Sequence, residues 1–350
     1  MIILARYESR TNTRLRNLSG YAIFFTCSVV VLLLDLATSG RGGIGPYVGL
    51  CILCACFGFA HAFIQGGMAG DLSLMCPEFM QSFIAGICTS GVIASVLRIL
   101  TKASFEKSRN GLRKGALLSF AISTVFHSLC IILYALYFPN LPIVKFYRAK
   151  AASEGSKTVS ADLAAAGIRT EQQVGIDASQ QERLSKKQLF IQNIDYFGSL
   201  FLIHVLTFSI NPGFLYEDTG SHQLGSWYPL VLLTMFNVGD LISAYIPLIK
   251  CLELKSRKQI VIATLLRYLL IPAFYFTAKY GRQGWMIFLV LCMGLTHNYI
   301  IVSIFSHTPR GYKGPEQHAI GNILAVSVLS GIFAGSALDF LWLIGKPQDF

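Results

Sequence analysis

The sequence predicts an all-α polytopic membrane protein, and three observations support this fold class. Of its 350 residues, 53% are hydrophobic and only 13% are charged, whereas about a quarter of the residues in an average soluble domain are charged. Apolar runs recur along almost the whole chain, and each is close to the roughly 20 residues that a helix needs to cross a bilayer. The runs are continuous rather than alternating, which favours spanning helices over a closed β-barrel.

The nine runs fall into two groups around one long hydrophilic segment, 139–196. The first four form a predicted N-terminal bundle within 1–138, and the next five form a predicted C-terminal bundle within 197–350. The intervening segment is rich in Ala, Ser, Gln and charge, which is typical of a cytosolic linker that is partly disordered. Many transporters are built from two such bundles. In order, the predicted spans are 19–38, 45–68, 79–100, 115–138, 197–213, 228–249, 259–278, 284–306 and 318–343.

The distribution of positive charge predicts that the N-terminus is cytosolic. The chain has 29 Lys and Arg against 18 Asp and Glu. With the N-terminus inside, the inner segments hold twice as many Lys and Arg residues as the outer segments, as the positive-inside rule requires. The positive excess is therefore attributed to membrane orientation and not to a nucleic-acid partner. One predicted outer loop, 101–114, departs from the rule because it carries Lys102, Lys107, Arg109, Arg113 and Lys114.

The sequence contains no signature of a soluble enzyme. Walker loops, dinucleotide fingerprints and nucleophile elbows are missing, so we expect no catalytic residue and no cofactor. Cys51, Cys54 and Cys56 lie close together, but no second Cys/His pair follows at zinc-finger spacing. These cysteines are interpreted as small packing residues, and neither a metal site nor a disulfide is predicted.

Asp240 is the first candidate for a functional residue inside a span. An ionised group in hydrocarbon is costly and usually faces a cavity or a partner. Asn237 lies three residues earlier, which places both side chains on one side of a helix. A carboxylate and a carboxamide in that arrangement can bind the vicinal hydroxyls of a sugar. The alternative is a structural hydrogen bond to another helix, with Arg267 as the candidate partner.

Gln65 is the second candidate, because a carboxamide can pair with the edge of a heterocycle. Gly66 and Gly70 follow it at the spacing that lets helices approach closely. The alternative for Gln65 is again a hydrogen bond between helices. Four further glycines are expected to serve helix packing only: Gly86, Gly91, Gly331 and Gly335.

Five stretches of the sequence resemble the equilibrative nucleoside transporter family, and its plant branch closely. The resemblance extends along essentially the whole chain. It implies eleven spans in a six-plus-five arrangement similar to the major facilitator fold, with a long cytosolic loop after the sixth span. The nine spans would then be the third to the eleventh, and the first two, which help to line the cavity, would be absent. The five stretches are Gln65–Phe79, Arg113–Gly115, Pro142–Arg148, Leu270–Phe276 and Gly311–Gln317.

The resemblance also implies roles for individual residues. Gln65 matches the glutamine that faces the nucleobase, and Asn237 and Asp240 match the polar pair near the ribose. A guanidinium one turn after the aspartate would neutralise and orient it, so we expect Asp240 to bind a proton more readily without that partner. Near the cavity the chain departs from the family at Ala244 in place of Arg, at Asn211 in place of Phe, and at His297-Asn298 in place of Asn-Gly.

The expected function is a carrier that moves nucleosides by alternating access around a site near the midplane. Some plant members couple uptake to protons, which makes Asp240, Asp35 and Asp339 the candidate proton-binding residues. The alternative is a truncated, transport-inactive membrane protein that acts as a regulatory or degenerate partner of a full-length relative. The expected partners are a nucleoside and the lipid bilayer. The plasma membrane is the first expected location, and the vacuolar membrane is the second.

Overall fold

The computed structural model describes residues 13–108, 110–165, 184–211, 213–217, 224–249, 251–280 and 283–340. Within these ranges all regular secondary structure is helical, and nine helical segments are long and apolar enough to cross a membrane. The predicted all-α polytopic fold is therefore confirmed. Outside the described residues lie Arg109 of the basic loop, 166–183 of the predicted linker, Pro212 of the fifth predicted span and 341–343 of the last one.

The long helices follow the predicted spans closely, with ends that differ by several residues. The fourth span continues beyond its α-helix through a π-turn, Leu133–Tyr137, and a 3-10 turn, Phe138–Asn140. The α-helices of the described chain, numbered in order, are α1 Thr13–Thr38, α2 Ile44–Ser73, α3 Pro77–Phe105, α4 Gly111–Ile132, α5 Pro142–Ala165, α6 Lys186–Gln192, α7 Ile194–Ile210, α8 Gly213–Glu217, α9 Tyr228–Tyr245, α10 Arg257–Arg267, α11 Leu270–Tyr280, α12 Gln283–His307 and α13 Pro315–Asp339.

Two prolines explain helix breaks that the lengths of the apolar runs do not predict. The seventh predicted span, 259–278, is divided between α10 and α11. Pro272 has no N–H to donate to the carbonyl of Tyr268, so the helical ladder is interrupted there. In the fifth span, α7 ends just before Asn211, which has φ −118° and ψ 125°. Extended backbone is what the residue before a proline prefers.

The predicted linker begins and ends in helices, α5 and α6. Val144 in the first turn of α5 is buried, and one turn later Arg148 forms an ion pair with Asp71 at the end of α2. The short helix α6 starts with a capping box, in which the Ser185 and Gln188 side chains each bond the backbone of the other residue. Both ends of the linker are therefore anchored on the predicted inner side of the molecule.

The segments before and after the linker are joined mainly through contacts of α2 and α3. Within the first segment α1 packs against α2 and α4, and α3 packs against α4. Within the second, α9 packs along α12, and α7 along α13 and beside α10. Contacts of α2 with α13, and of α3 with both α9 and α12, connect the two sets. Large apolar side chains stay exposed on the outer faces, for example Leu33, Ile52 and Phe333, as expected for surfaces in contact with lipid.

Most of the predicted packing glycines lie at close helix contacts. A Cβ at Gly70 would lie 2.7 Å from Nε2 of His318, and a Cβ at Gly331 would lie 2.6 Å from the Phe201 carbonyl oxygen. Gly86 differs from the expectation, because no described atom lies within 4 Å of the position that its Cβ would take. Gly91 and Gly335 also face close neighbours, and Gly66 is buried beside Gly70 on α2.

Candidate functional site

Two glycines bring the backbones of α9 and α12 into close contact. A Cβ at Gly294 would lie 2.4 Å from the carbonyl oxygen of Phe236, and a Cβ at Gly239 would lie 2.7 Å from that of Leu291. Small residues permit such an approach of two helices in a membrane protein. The crossing places Asp240, the residue after the second of these glycines, beside the next turn of α12.

At this crossing Asp240 is paired with His297. Nδ1 of the imidazole lies 2.9 Å from Oδ1 of the carboxylate, and only 9% of the histidine and 13% of the aspartate side chain are exposed. The Cys88 thiol of α3 lies against the same carboxylate, and Asn298 donates from Nδ2 to that sulfur over 2.9 Å. Asp240 thus points into the junction of α3, α9 and α12 and away from the lipid-facing surface.

Arg267 lies near this junction without bonding to the carboxylate. Its Nε donates to Thr296 Oγ1 over 3.0 Å, and its Nη2 donates to Thr207 Oγ1 and the Met293 carbonyl oxygen, each over 3.2 Å. These bonds direct the guanidinium toward α7 and α12. The alternative considered from the sequence, a hydrogen bond from Arg267 to Asp240, is not formed, and His297 occupies that position.

Asn237 faces α3 as well. Its Nδ2 donates to the Gly91 carbonyl oxygen over 3.2 Å and to Ser95 Oγ over 2.7 Å, both on α3. A Cβ at Gly91 would lie 3.1 Å from Oδ1 of this asparagine, so the glycine leaves room for the amide. Both members of the polar pair therefore contact α3, Asn237 at Gly91 and Ser95 and Asp240 at Cys88. Asp240 in addition reaches His297 on α12.

Two buried nitrogen atoms at the junction have no hydrogen-bond partner among the described residues. They are Nε2 of His297 and Nη1 of Arg267. Buried polar atoms are rarely left unpaired in a folded protein, because each lost bond costs about 1–3 kcal/mol. Together with the unused lone pairs of the Asp240 carboxylate, these atoms are the hydrogen-bonding groups that the junction offers to a polar ligand.

Gln65 lies on α2, away from the contacts that surround Asp240. Its Oε1 is buried, and no described residue donates to it with normal geometry. The polar neighbour on its own helix is His61, one turn earlier. No hydrogen bond within the described part of the chain joins Gln65 to Asp240.

A second glutamine, which the sequence reasoning missed, lies nearer to the aspartate helix. Gln81 in the first turns of α3 donates from Nε2 to the Ala244 carbonyl oxygen over 3.0 Å. Ala244 is one turn beyond Asp240, so Gln81 approaches the same end of α9. The partner role of His297 was missed as well. The sequence carried two signals for it, a histidine deep in an apolar run and a departure from the family pattern near the cavity, and neither says which carboxylate the histidine contacts.

Asp35 and Asp339 both have structural partners. Arg113 donates from Nε to both carboxylate oxygens of Asp35, over 3.1 and 2.9 Å. Asp339 accepts from the backbone N–H groups of Gly213 and Phe214, over 2.9 and 3.1 Å, at the start of α8. Each carboxylate therefore holds an end of a helix in place, and neither lies at the junction around Asp240.

The sequence of this multi-helical chain matches the family model described as "Nucleoside transporter" over residues 51–344. The chain belongs to the nucleoside transporter family. This confirms the resemblance found in the sequence and makes the chain a multi-pass membrane protein of a transporter family.

Curated relatives from Arabidopsis thaliana agree with this assignment. The chain is 60% identical to "Equilibrative nucleotide transporter 3" and 59% identical to "Equilibrative nucleotide transporter 6", with all of the chain and 84% of each relative covered. It is 27% identical to "Equilibrative nucleotide transporter 1", with 98% of the chain and 74% of that relative covered. The similarity therefore extends over both helix sets and the linker between them.

Proposed function

We propose that this chain carries nucleosides across a membrane by alternating access, with the junction around Asp240 as its ribose-binding site. Family membership supports the class of transported solute. The single observation that carries the assignment of the site is the inward-pointing Asp240–His297 pair, with a buried and unpartnered nitrogen on the histidine. Intramembrane ionisable residues that face the helix packing are expected to mark a substrate or ion pathway.

The chemistry of the junction suits a vicinal diol. The Asp240 carboxylate accepts hydrogen bonds from hydroxyl groups, and Nη1 of Arg267 can only donate. Nε2 of His297 accepts in the neutral ring and donates in the protonated ring. A hydrogen bond to a charged group contributes about 1.5–3 kcal/mol, so two such bonds account for binding that is specific but still reversible, as a carrier requires.

For the nucleobase we propose an amide partner, and Gln65 remains the candidate taken from the family resemblance. Its unpartnered Oε1 supports this role. Gln81 is the second candidate, because it lies beside α9 at Ala244. Replacing each glutamine by Ala and comparing KM for adenosine and uridine tests the choice. The base-binding residue is the one whose loss changes the ratio of the two KM values.

The helix contacts support a specific rocking motion. The α3–α9 contact extends along both helices, from Lys102 and Ser226 at one end to Gln81 and Ala244 at the other. The α2–α13 contact includes the end of α2, where a Cβ at Gly70 would lie 2.7 Å from Nε2 of His318. We infer that α3 and α9 stay together as the pivot, while the α2–α13 contact opens and closes the predicted cytosolic side.

Proton coupling is proposed through the Asp240–His297 pair. A carboxylate and an imidazole 2.9 Å apart can share one proton. The other ionisable groups around the pair are Cys88 on α3, His204, whose ring centroid lies 5.3 Å from that of His297, and Arg267. Asp35 and Asp339 are less suited, since a guanidinium and two backbone N–H groups already satisfy them.

Flux into proteoliposomes tests these proposals separately. Saturable uptake of labelled uridine by the purified chain, with loss of uptake in Asp240→Asn, would support the carrier and its site. Absence of saturable flux would contradict the carrier function. An acidic exterior should accelerate uptake and a protonophore should remove the acceleration. Equal rates with and without the gradient would contradict proton coupling and leave nucleoside transport intact.

For cellular location we propose the plasma membrane, with the vacuolar membrane as the second choice. A multi-pass chain with its N-terminus on the cytosolic side fits either membrane. A fluorescent fusion at the C-terminus, compared with a dye for each membrane, decides between them.

A further inference from the structure

A large cavity lies at the predicted outer ends of α1, α3, α4 and α9. Its volume is about 890 Å³, which is large enough for a small solute. Its polar wall includes Arg98 and Lys102 of α3, Glu106 just after α3, Arg113 of α4 and Ser226 before α9. We call this space the outer vestibule. It is separate from the junction around Asp240.

The charges that line the outer vestibule do not cancel. Arg113 is neutralised by Asp35, with which it forms a close ion pair of 2.8 Å. The one carboxylate in the lining is Glu106, which accepts a hydrogen bond from Trp227 Nε1 over 2.9 Å. The lining contains two further cations, Arg98 and Lys102, which outnumber this single carboxylate. The vestibule therefore carries a net positive charge.

Arg98 and Lys102 are placed to act on one ligand. They are four residues apart on α3, so their side chains share one face of the helix, and both line the same cavity. Lys102 donates to the hydroxyl and carbonyl oxygens of Ser226, which are neutral acceptors. No described carboxylate forms an ion pair with Arg98. A guanidinium with an ammonium beside it is the pairing that recognises a phosphate group.

The vestibule also extends along α9 in the direction of the proposed site. Leu230 and Leu233 of α9 form an apolar part of its lining, and Asn237 lies one helical turn beyond Leu233. A positively charged vestibule raises the local concentration of anionic solutes. This placement gives a physical reason for the basic loop 101–114, which departs from the positive-inside rule.

We propose that the outer vestibule is a phosphate-binding site that recognises nucleoside monophosphates. The proposal rests on the proposed nucleoside transport and adds a substrate class to it. The phosphate is held by Arg98 and Lys102, and the nucleoside part extends along the apolar wall toward α9. An anionic lipid headgroup presents the same phosphate chemistry, so the experiment includes lipid as a separate arm.

The test measures inhibition of uridine uptake by external uridine 5′-monophosphate, with a phosphatase inhibitor present, in phosphatidylcholine proteoliposomes. In Arg98→Gln the inhibition constant should rise by about tenfold or more, the loss expected for one charge-assisted hydrogen bond, while KM for uridine stays unchanged. Lys114→Gln is the matched control, because this exposed lysine bonds to Ser108 and does not line the vestibule. High salt should weaken the inhibition in the native chain.

The possible outcomes are distinct. No inhibition of the native chain by millimolar monophosphate, or equal effects of Arg98→Gln and Lys114→Gln, would overturn the phosphate site. Uridine uptake by the native chain reports the carrier function independently of either result. If added phosphatidylglycerol raises the inhibition constant in the native chain but not in Arg98→Gln, the site also accepts lipid phosphate. If it has no effect, the supported ligand is the free nucleotide.

Discussion

Gly294→Ala is the substitution that should disturb the proposed site with the smallest chemical change. The added Cβ would lie 2.4 Å from the carbonyl oxygen of Phe236 and 3.0 Å from the backbone nitrogen of Asp240. Both neighbours are backbone atoms, so no side chain can rotate away. To restore an ordinary contact of 3.4 Å, α9 and α12 must move apart by about 1 Å, and overpacking of this kind costs about 1–3 kcal/mol.

That displacement should break the pair at the site. The bond from His297 to Asp240 is 2.9 Å long, and an additional ångström takes it beyond hydrogen-bonding distance. Loss of a bond to a charged group costs about 1.5–3 kcal/mol, so KM for uridine should rise by about tenfold or more. Uptake at known transporter density in proteoliposomes measures this.

The control for this experiment is on the same helix. Gly284→Ala adds the same methyl group to α12 where no described atom lies within 4 Å of the new Cβ, and it should leave KM unchanged. Thermal unfolding in detergent shows whether each variant is folded. If folded Gly294→Ala transports uridine with the KM of Gly284→Ala, the close crossing does not position the site.

Two further predictions concern the predicted cytosolic side. Gly70→Ala should lower the transport rate by interfering with the α2–α13 contact, whereas Gly86→Ala, which meets open space, should not; equal rates would contradict the proposed gate. Burial lowers the pKa of Arg148, but the charges and hydrogen bonds of Asp71 and Tyr134 raise it above its ordinary value. This stabilisation is therefore fully present at every pH below the ordinary pKa of arginine and is lost as the pH rises from there through the raised pKa. Arg148→Gln should therefore reduce thermal stability in detergent, by about 2 kcal/mol, equally at neutral and mildly alkaline pH, and a loss confined to alkaline pH would contradict the ion pair.

The fold was predictable because its main determinant is local. A helix in lipid must satisfy its own backbone and present apolar side chains for about 20 residues, and both requirements can be read from one segment at a time. The break between α10 and α11 was also present in the sequence, at Pro272, but the length of the run obscured it. The anchoring of α5 through Arg148 and Asp71 depends on residues far apart in the chain, and composition alone described that region as a linker.

The site was predictable only in part, because the partners of its residues depend on contacts between helices that are far apart in the sequence. Asp240 is conspicuous because a carboxylate in a span is rare. Its partner depends on how α9 and α12 are aligned, which Gly239 and Gly294 determine through backbone contacts that no single run reveals. The shared helix side of Asn237 and Asp240 was inferred from spacing, and both side chains contact α3, Asn237 at Ser95 and Asp240 at Cys88. The spacing did not reveal that Asp240 also reaches α12 through His297.

The central claim is that Asp240 binds the hydroxyl groups of the ribose, and comparing two substrates in two proteins tests it most directly. KM should be measured for uridine and for 2′,3′-dideoxyuridine, in the native chain and in Asp240→Asn. We expect the native chain to prefer uridine by about tenfold or more, as one or two hydrogen bonds to a carboxylate require, and we expect Asp240→Asn to lose most of that preference. An unchanged preference in the folded variant would contradict the claim.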